Sequence, residues 1–133
     1  MLYIGHQNAL KPELTVRSNI LFWCNLYDTR ELVDTALHYF GLEPFSDIPC
    51  GELSAGWQRK VALTRLITVP SAIWLLDEPM THLDEEGEAQ VKALITGKCG
   101  NGGIVLMSTH DIENKSFLSL KINDYKSTMN VEE

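Results

Sequence analysis

The sequence predicts an α/β fold, a parallel sheet with a helical segment inserted between its first two strands. Two short, wholly apolar runs, 72–76 and 104–107, have the composition of strands covered on both faces of a parallel sheet. Three stretches with helical periodicity lie between the short run Leu2-Tyr3-Ile4 and the first of these. Gln7, Asp77-Glu78 and His110 each fall just after a strand, at the end of a parallel sheet where ligands bind.

Each element has its own justification. Leu2-Tyr3-Ile4 reads as a short buried strand running into Gly5-His6-Gln7. Thr15 is the expected N-cap of a first helix with Val16, Ile20, Trp23, Cys24 and Tyr27 on its apolar stripe. Asp28, with Glu31 three residues on, reads as the capping box of a second helix. Its stripe is Leu32, Val33, Ala36, Leu37 and Phe40, and Gly41 ends it. A loop is expected over 43–51. Ser54 opens a third helix that buries Ala62, Leu63, Leu66 and Ile67 and stops before Pro70. After the 72–76 strand, Asp84 caps a helix with Gly87, Val91, Leu94 and Ile95 inward. Gly97, Gly100, Gly102 and Gly103 predict a loose turn before the 104–107 strand, and a weak strand is expected at 118–122.

Composition narrows the function classes. The 133 residues are 44% hydrophobic and 22% charged, the profile of one folded domain. A net charge of -7 argues against general nucleic-acid or anionic-membrane binding, because the phosphate-neutralising excess is absent. No apolar run approaches the roughly 20 residues of a bilayer span, so no direct membrane insertion is expected. Met1 to His6 show no basic-then-apolar pattern, so no secretory signal is expected. Cys24, Cys50 and Cys99 are odd in number and without CxxC spacing, which supports neither a disulfide framework nor a zinc site. A reducing cytosol is the expected setting.

Asp77-Glu78 at a strand end suits magnesium and water chemistry: the first carboxylate can hold the metal and the second can orient a water. Alone, Asp-Glu-Pro serves equally well to break a strand. Leu53-Ser54-Ala55-Gly56-Trp57-Gln58 is a small-residue turn opening a helix, with free N–H groups and a hydroxyl that suit a phosphate; an ordinary Ser N-cap looks the same. His110 can touch a terminal phosphate or sit as a satisfied half-buried histidine. Gln7 can ligate a metal or simply start a loop. Asp84-Glu85-Glu86 suits a helix dipole, and Trp23, Trp57 and Trp74 suit packing rather than a ligand cage, with Trp57 near enough to the helix start to keep a ligand contact open.

The order of these parts is specific where each part is not. Gln7, then 53–58, then Ile73-Trp74-Leu75-Leu76-Asp77-Glu78-Pro79, then Thr81-His82-Leu83-Asp84, then His110, resembles the ATP-binding subunit of ABC transporters. In that family these are the Q-loop, the signature, Walker B with its catalytic glutamate, the D-loop and the H-switch. Tyr3-Ile4-Gly5-His6-Gln7, Leu53-Ser54-Ala55-Gly56 and Val61-Ala62-Leu63-Thr64-Arg65-Leu66 are similar, more narrowly, to the haem-exporter ATPases of cytochrome c biogenesis.

The resemblance implies a P-loop NTPase core of the ABC type. Residues 8–68 would be its helical subdomain, ending in the signature helix, and 1–7 with 69–133 part of the α/β core. It implies ATP and Mg2+ as cofactors, sandwiched between two such subunits. Gln7 and Asp77 would serve the metal, Glu78 the attacking water and His110 the γ-phosphate, with Glu78 and His110 catalytic. Ser54, Gly56 and Gln58 would face the partner subunit's ATP, and Asp84 would lie in the D-loop. Transmembrane permease subunits would hold the chain at the cytoplasmic face of an inner membrane, bacterial or organellar. Two other readings share these residues: a split product without turnover of its own, and an ATPase serving another cargo.

The sequence departs from the family in three places. GxxxxGK[ST], Walker A, is not found: the one Gly-Lys pair, Gly97-Lys98, has Lys92 where the first glycine belongs and Cys99 next. In the family Walker A precedes the Q-loop, so the chain is expected to be the C-terminal part of a subunit and not to hydrolyse ATP alone. In the family's sheet the Walker A strand neighbours the H-switch strand, so 104–107 is expected to be an uncovered edge. Trp57 stands where the signature usually has glutamine or glycine, and His82 where the D-loop has a small residue.

Overall fold

The computed structural model describes residues 1–109 and Leu118. Three strands, β1 (Leu2–Ile4), β2 (Ile73–Asp77) and β3 (Ile104–Ser108), form a parallel sheet in the order β1-β2-β3. Leu2 pairs with Trp74 and Ile4 with Leu76; Ile73 pairs with Ile104 and Asp77 with Ser108. Between β1 and β2 lie α1 (Val16–Tyr27), α2 (Val33–Tyr39), α3 (Ala55–Leu63) and α4 (Arg65–Thr68); α5 (Glu85–Gly100) joins β2 to β3. The strands begin or end within a residue or two of their expected positions.

The sheet is covered on one face only among the described residues. Leu2, Ile4, Trp74 and Leu76 are buried in a core with Val91 and Ile95 of α5 and Leu63 of α3. The other face carries Tyr3, Ile73, Ile104 and Leu106, all exposed. The apolar runs therefore do mark parallel strands, but among the described residues they are covered on one side only. The β3 edge, expected to be bare, has Ile104 54% and Leu106 55% exposed. Of the strand expected at 118–122 only Leu118 is described, and it is exposed.

The helices follow the sequence cues, with three corrections. Thr15 Oγ1 caps α1 by accepting from the Ser18 N–H at 3.1 Å. Asp28 does not open the second helix. It ends α1 in the left-handed conformation (φ 55°, ψ 44°), a backbone state that Asp tolerates better than most residues. A short 3-10 turn, Arg30–Leu32, then leads into α2. Gly41, at φ 65°, closes α2 with the Leu42 N–H on Leu37 O at 2.8 Å and its own N–H on His38 O at 3.1 Å. The single helix expected from Ser54 to Pro70 is broken at Thr64, whose hydroxyl donates to Val61 O at 2.6 Å and so competes with the helical ladder. Gly97 and Gly100 lie inside α5, where burial of Val91 and Ile95 offsets a cost of about 1 kcal/mol per glycine. The turn before β3 is held to 101–103, with Gly102 at φ 81°.

The segment between β1 and α1 is not loose. Asn19, buried in α1, gives its amide N–H groups to Lys11 O, Leu14 O and Thr15 O and accepts from the Lys11 N–H at 2.9 Å. The first-turn amides of α1, at Val16 and Arg17, reach Ile48 O and Ser46 O, each at 3.0 Å. The expected loop 43–51 is thus two 3-10 turns, Glu43–Phe45 and Cys50–Glu52, stitched onto the start of α1. These bonds fix the path from Gln7 to the helices.

Candidate functional site

The carboxyl end of the sheet gathers the polar residues. Asp77 is the last residue of β2 and lies opposite Ser108, the last of β3. Ser108 Oγ donates to Asp77 Oδ1 at 2.6 Å and accepts from the Glu78 N–H at 2.9 Å. One hydroxyl therefore sets the rotamer of the first carboxylate and the start of the turn that carries the second. Sequence reasoning named the neighbouring His110 and passed over Ser108; the signal available was its place directly after the apolar run, in register with Asp77.

Glu78 sits at φ 45°, uncommon for a residue with a side chain and costing about 1–2 kcal/mol. Thr81 Oγ1 donates to its Oε2 at 3.4 Å, and the Thr81 N–H returns to its carbonyl at 3.2 Å. Beneath the turn lies Arg59 of α3, buried, which bonds the carbonyls of Asp77 and Glu78 at 3.1 Å each. Burial draws the Arg59 pKa down, and the Asp77 carboxylate acts against that. Gln7 is exposed, three residues past the end of β1, on the same sheet end as Asp77. His110 lies outside the described residues.

The second part of the site is the mouth of α3. Ser54 accepts from the Trp57 N–H at 3.4 Å as N-cap, and Ser54 and Ala55 are open to solvent. The amides of Ala55 and Gly56 have no carbonyl to reach within the helix. Gln58 turns back, its Nε2 donating to Leu53 O at 3.1 Å. Trp57 packs on Phe45 with ring centroids 4.5 Å apart, and Lys60 Nζ lies 4.5 Å from the Trp57 centroid. Trp57 thus packs between Phe45 and Lys60.

The mouth rests on the 81–84 turn. A Cβ on Gly56 would lie 2.7 Å from His82 O, and His82 itself is at φ 67°. Asp84 caps α5, accepting from the Gly87 N–H at 2.8 Å, and pairs with the buried Lys60 at 3.3 Å. Those two contacts, the Gly87 amide first, hold the Asp84 carboxyl below the usual carboxylate range. Gly56→Ala should therefore cost about 1–3 kcal/mol by forcing Ala against the His82 carbonyl. Denaturant unfolding of both proteins checks this, and equal midpoints would show that the two turns do not touch.

The donor set suits the chemistry expected of it. Asp77 and Gln7 offer the hard oxygens that Mg2+ takes, and the α3 mouth offers amides and a hydroxyl to a phosphate. No GxxxxGK[ST] occurs in the 133 residues.

Known proteins resemble this chain in sequence and in fold. The family described as "ABC transporter" matches residues 1–81, more than half of the chain. The chain belongs to the ABC transporter family. Its ABC relatives include the cytochrome c biogenesis ATP-binding export protein CcmA of Rickettsia bellii, 47% identical over 81% of this chain and 55% of that protein. The CcmA proteins of Wolbachia pipientis and of Pseudomonas putida strain GB-1 are each 44% identical over 83% of this chain and 53% of theirs. The chain spans about half the length of the curated relatives it matches. Among solved structures, the dimeric post-hydrolysis state of the ATP-binding cassette MJ0796, bound to ADP and Pi, superposes with a TM-score of 0.70 and 29% identity. That match covers 83% of this chain and 52% of the cassette. The parallel sheet and its helical insertion are thus those of an ABC cassette.

Proposed function

We propose that this chain supplies the Walker B and signature half of an ATP-hydrolysing subunit of an ABC exporter, the one that exports haem for cytochrome c maturation. The observation that carries it is the joining of an acidic strand end, Asp77-Glu78, to an open helix mouth at Ser54 within one packed unit. Similarity to CcmA proteins over most of the chain supports the haem cargo.

In this reading Asp77 and Gln7 hold Mg2+, with Ser108 keeping the Asp77 carboxylate turned to the sheet end. When bound, the metal neutralises charge on the outer phosphates of ATP. Glu78 orients the attacking water and accepts its proton. His110 contacts the γ-phosphate. Ser54 and Gly56, with Gln58 behind them, face the ATP of a second subunit, and Asp84 sets the 81–84 turn between the two sites. Residues 8–68 form the subdomain that docks on transmembrane permease subunits. No helix of the described residues is long and apolar enough to cross a membrane, which accords with peripheral attachment to a cytoplasmic membrane face.

The test uses this chain joined to an N-terminal segment that carries GxxxxGK[ST]. Ser54→Arg puts bulk and charge at the α3 mouth. ATP-dependent dimerisation should be lost while nucleotide binding by the monomer is kept. A Ser54→Arg subunit that still dimerises on ATP removes the signature assignment.

A further inference from the structure

We propose that Arg59 is a positioning residue that carries the seating of the signature helix to the Walker B turn and to the Gln7 loop. The proposal rests on the functional reading above and deepens it.

Arg59 is 2% exposed, yet it makes no ion pair to a carboxylate among the described residues. Its guanidinium is satisfied by neutral oxygens instead. Nη1 donates to Gly5 O at 2.9 Å and to Asn8 Oδ1 at 3.0 Å. Nη2 donates to Asp77 O and Glu78 O, and Nε to Pro79 O at 3.4 Å. The carbonyls of 77, 78 and 79 therefore converge on one planar group from α3. That convergence fixes the peptide planes on both sides of Glu78 and explains how its positive φ persists.

A packing role alone does not account for this side chain. Burying a guanidinium with the Asp77 carboxylate only nearby and not bonded to it is costly, and an apolar residue of like volume fills such space without that cost. What the fork of donors provides is a link between three segments far apart in sequence, 5–8, 59 and 77–79. Arg59 lies three residues past Gly56 on the same helix, about one turn from the mouth. A displacement of the mouth moves the guanidinium, and the guanidinium moves the carbonyls that aim Glu78. Arg65 provides the contrast. It is equally buried, stacks on Trp23 and bonds Ala62 O and Asn8 O, with no bond to 77–79.

Two measurements decide it. In the 133-residue chain, amide exchange of Arg59→Lys should quicken over 5–8 and 77–81 together, with α1 and α2 unchanged. In the chain joined to a Walker A segment, Arg59→Lys should keep the KM for Mg-ATP and lower kcat by about tenfold to a hundredfold, the scale of a misplacement near 1 Å. Arg65→Lys should leave kcat in place. Wild-type kcat in a folded Arg59→Lys, an equal fall in Arg65→Lys, or quickened exchange confined to α3 each overturns the proposal. If the unmutated joined protein hydrolyses no ATP, the functional reading fails, and the exchange pattern still decides whether Arg59 ties the two segments.

Discussion

Glu78→Gln in the chain joined to a Walker A segment should stop ATP hydrolysis and leave nucleotide binding intact. The substitution keeps the shape of the side chain and an oxygen for the Thr81 hydroxyl. The backbone that places it is held by Arg59 and by Ser108, neither of which is altered. What is lost is the carboxylate that accepts the proton of the water, a contribution of about a hundred- to ten-thousandfold. Single-turnover hydrolysis beside equilibrium binding of a fluorescent nucleotide measures both quantities. Near-normal turnover would remove Glu78 from the catalytic role, whatever its position.

The second large effect concerns the bare sheet face. Tyr3 is 60% exposed, Leu106 55%, Ile104 54% and Ile73 36%, side by side on parallel strands. Burying a Leu or Ile side chain from full exposure is worth about 1.5–3 kcal/mol, and each of these partly covered side chains stands to gain a fraction of that. The outer edge of β3 is also unpaired among the described residues, and an open apolar edge is a template for another chain. The 133-residue chain should therefore self-associate as its concentration rises. Leu106→Lys should shift it toward monomer, since a charge on that face opposes stacking. Sedimentation velocity across a concentration series reads the outcome. A monomer with one sharp, concentration-independent melting transition would mean that this face needs no cover.

Much of this was legible in the residues, and the limits have physical causes. The strands were legible because an apolar run flanked by Pro70 and Pro79 leaves little else for 72–76 to be. The N-caps at Thr15, Ser54 and Asp84 were legible because a hydroxyl or carboxylate before a periodic stretch satisfies helix amides. Asp28 misled because Asp serves both as an N-cap and as a left-handed C-cap, and tertiary bonds chose the second: Thr29 Oγ1 donates to Thr68 O at 2.7 Å, pinning the junction. The roles of Ser108 and Arg59 were hidden because they depend on register and on long-range contacts that no local pattern encodes. The packing reason for Gly56 was hidden likewise: the turn reads as an approach for phosphate, while the atom nearest its missing Cβ is the His82 carbonyl.

Magnesium-dependent ATPase activity, measured on the 133-residue chain alone and again after joining it to a Walker A segment, tests the central claim most directly. The account predicts no turnover from the chain alone, because the Walker A loop and lysine that make most of the β- and γ-phosphate contacts do not occur in its 133 residues, and turnover from the joined protein that Glu78→Gln abolishes. Magnesium-dependent hydrolysis by the chain alone, lost on Glu78→Gln, would contradict it.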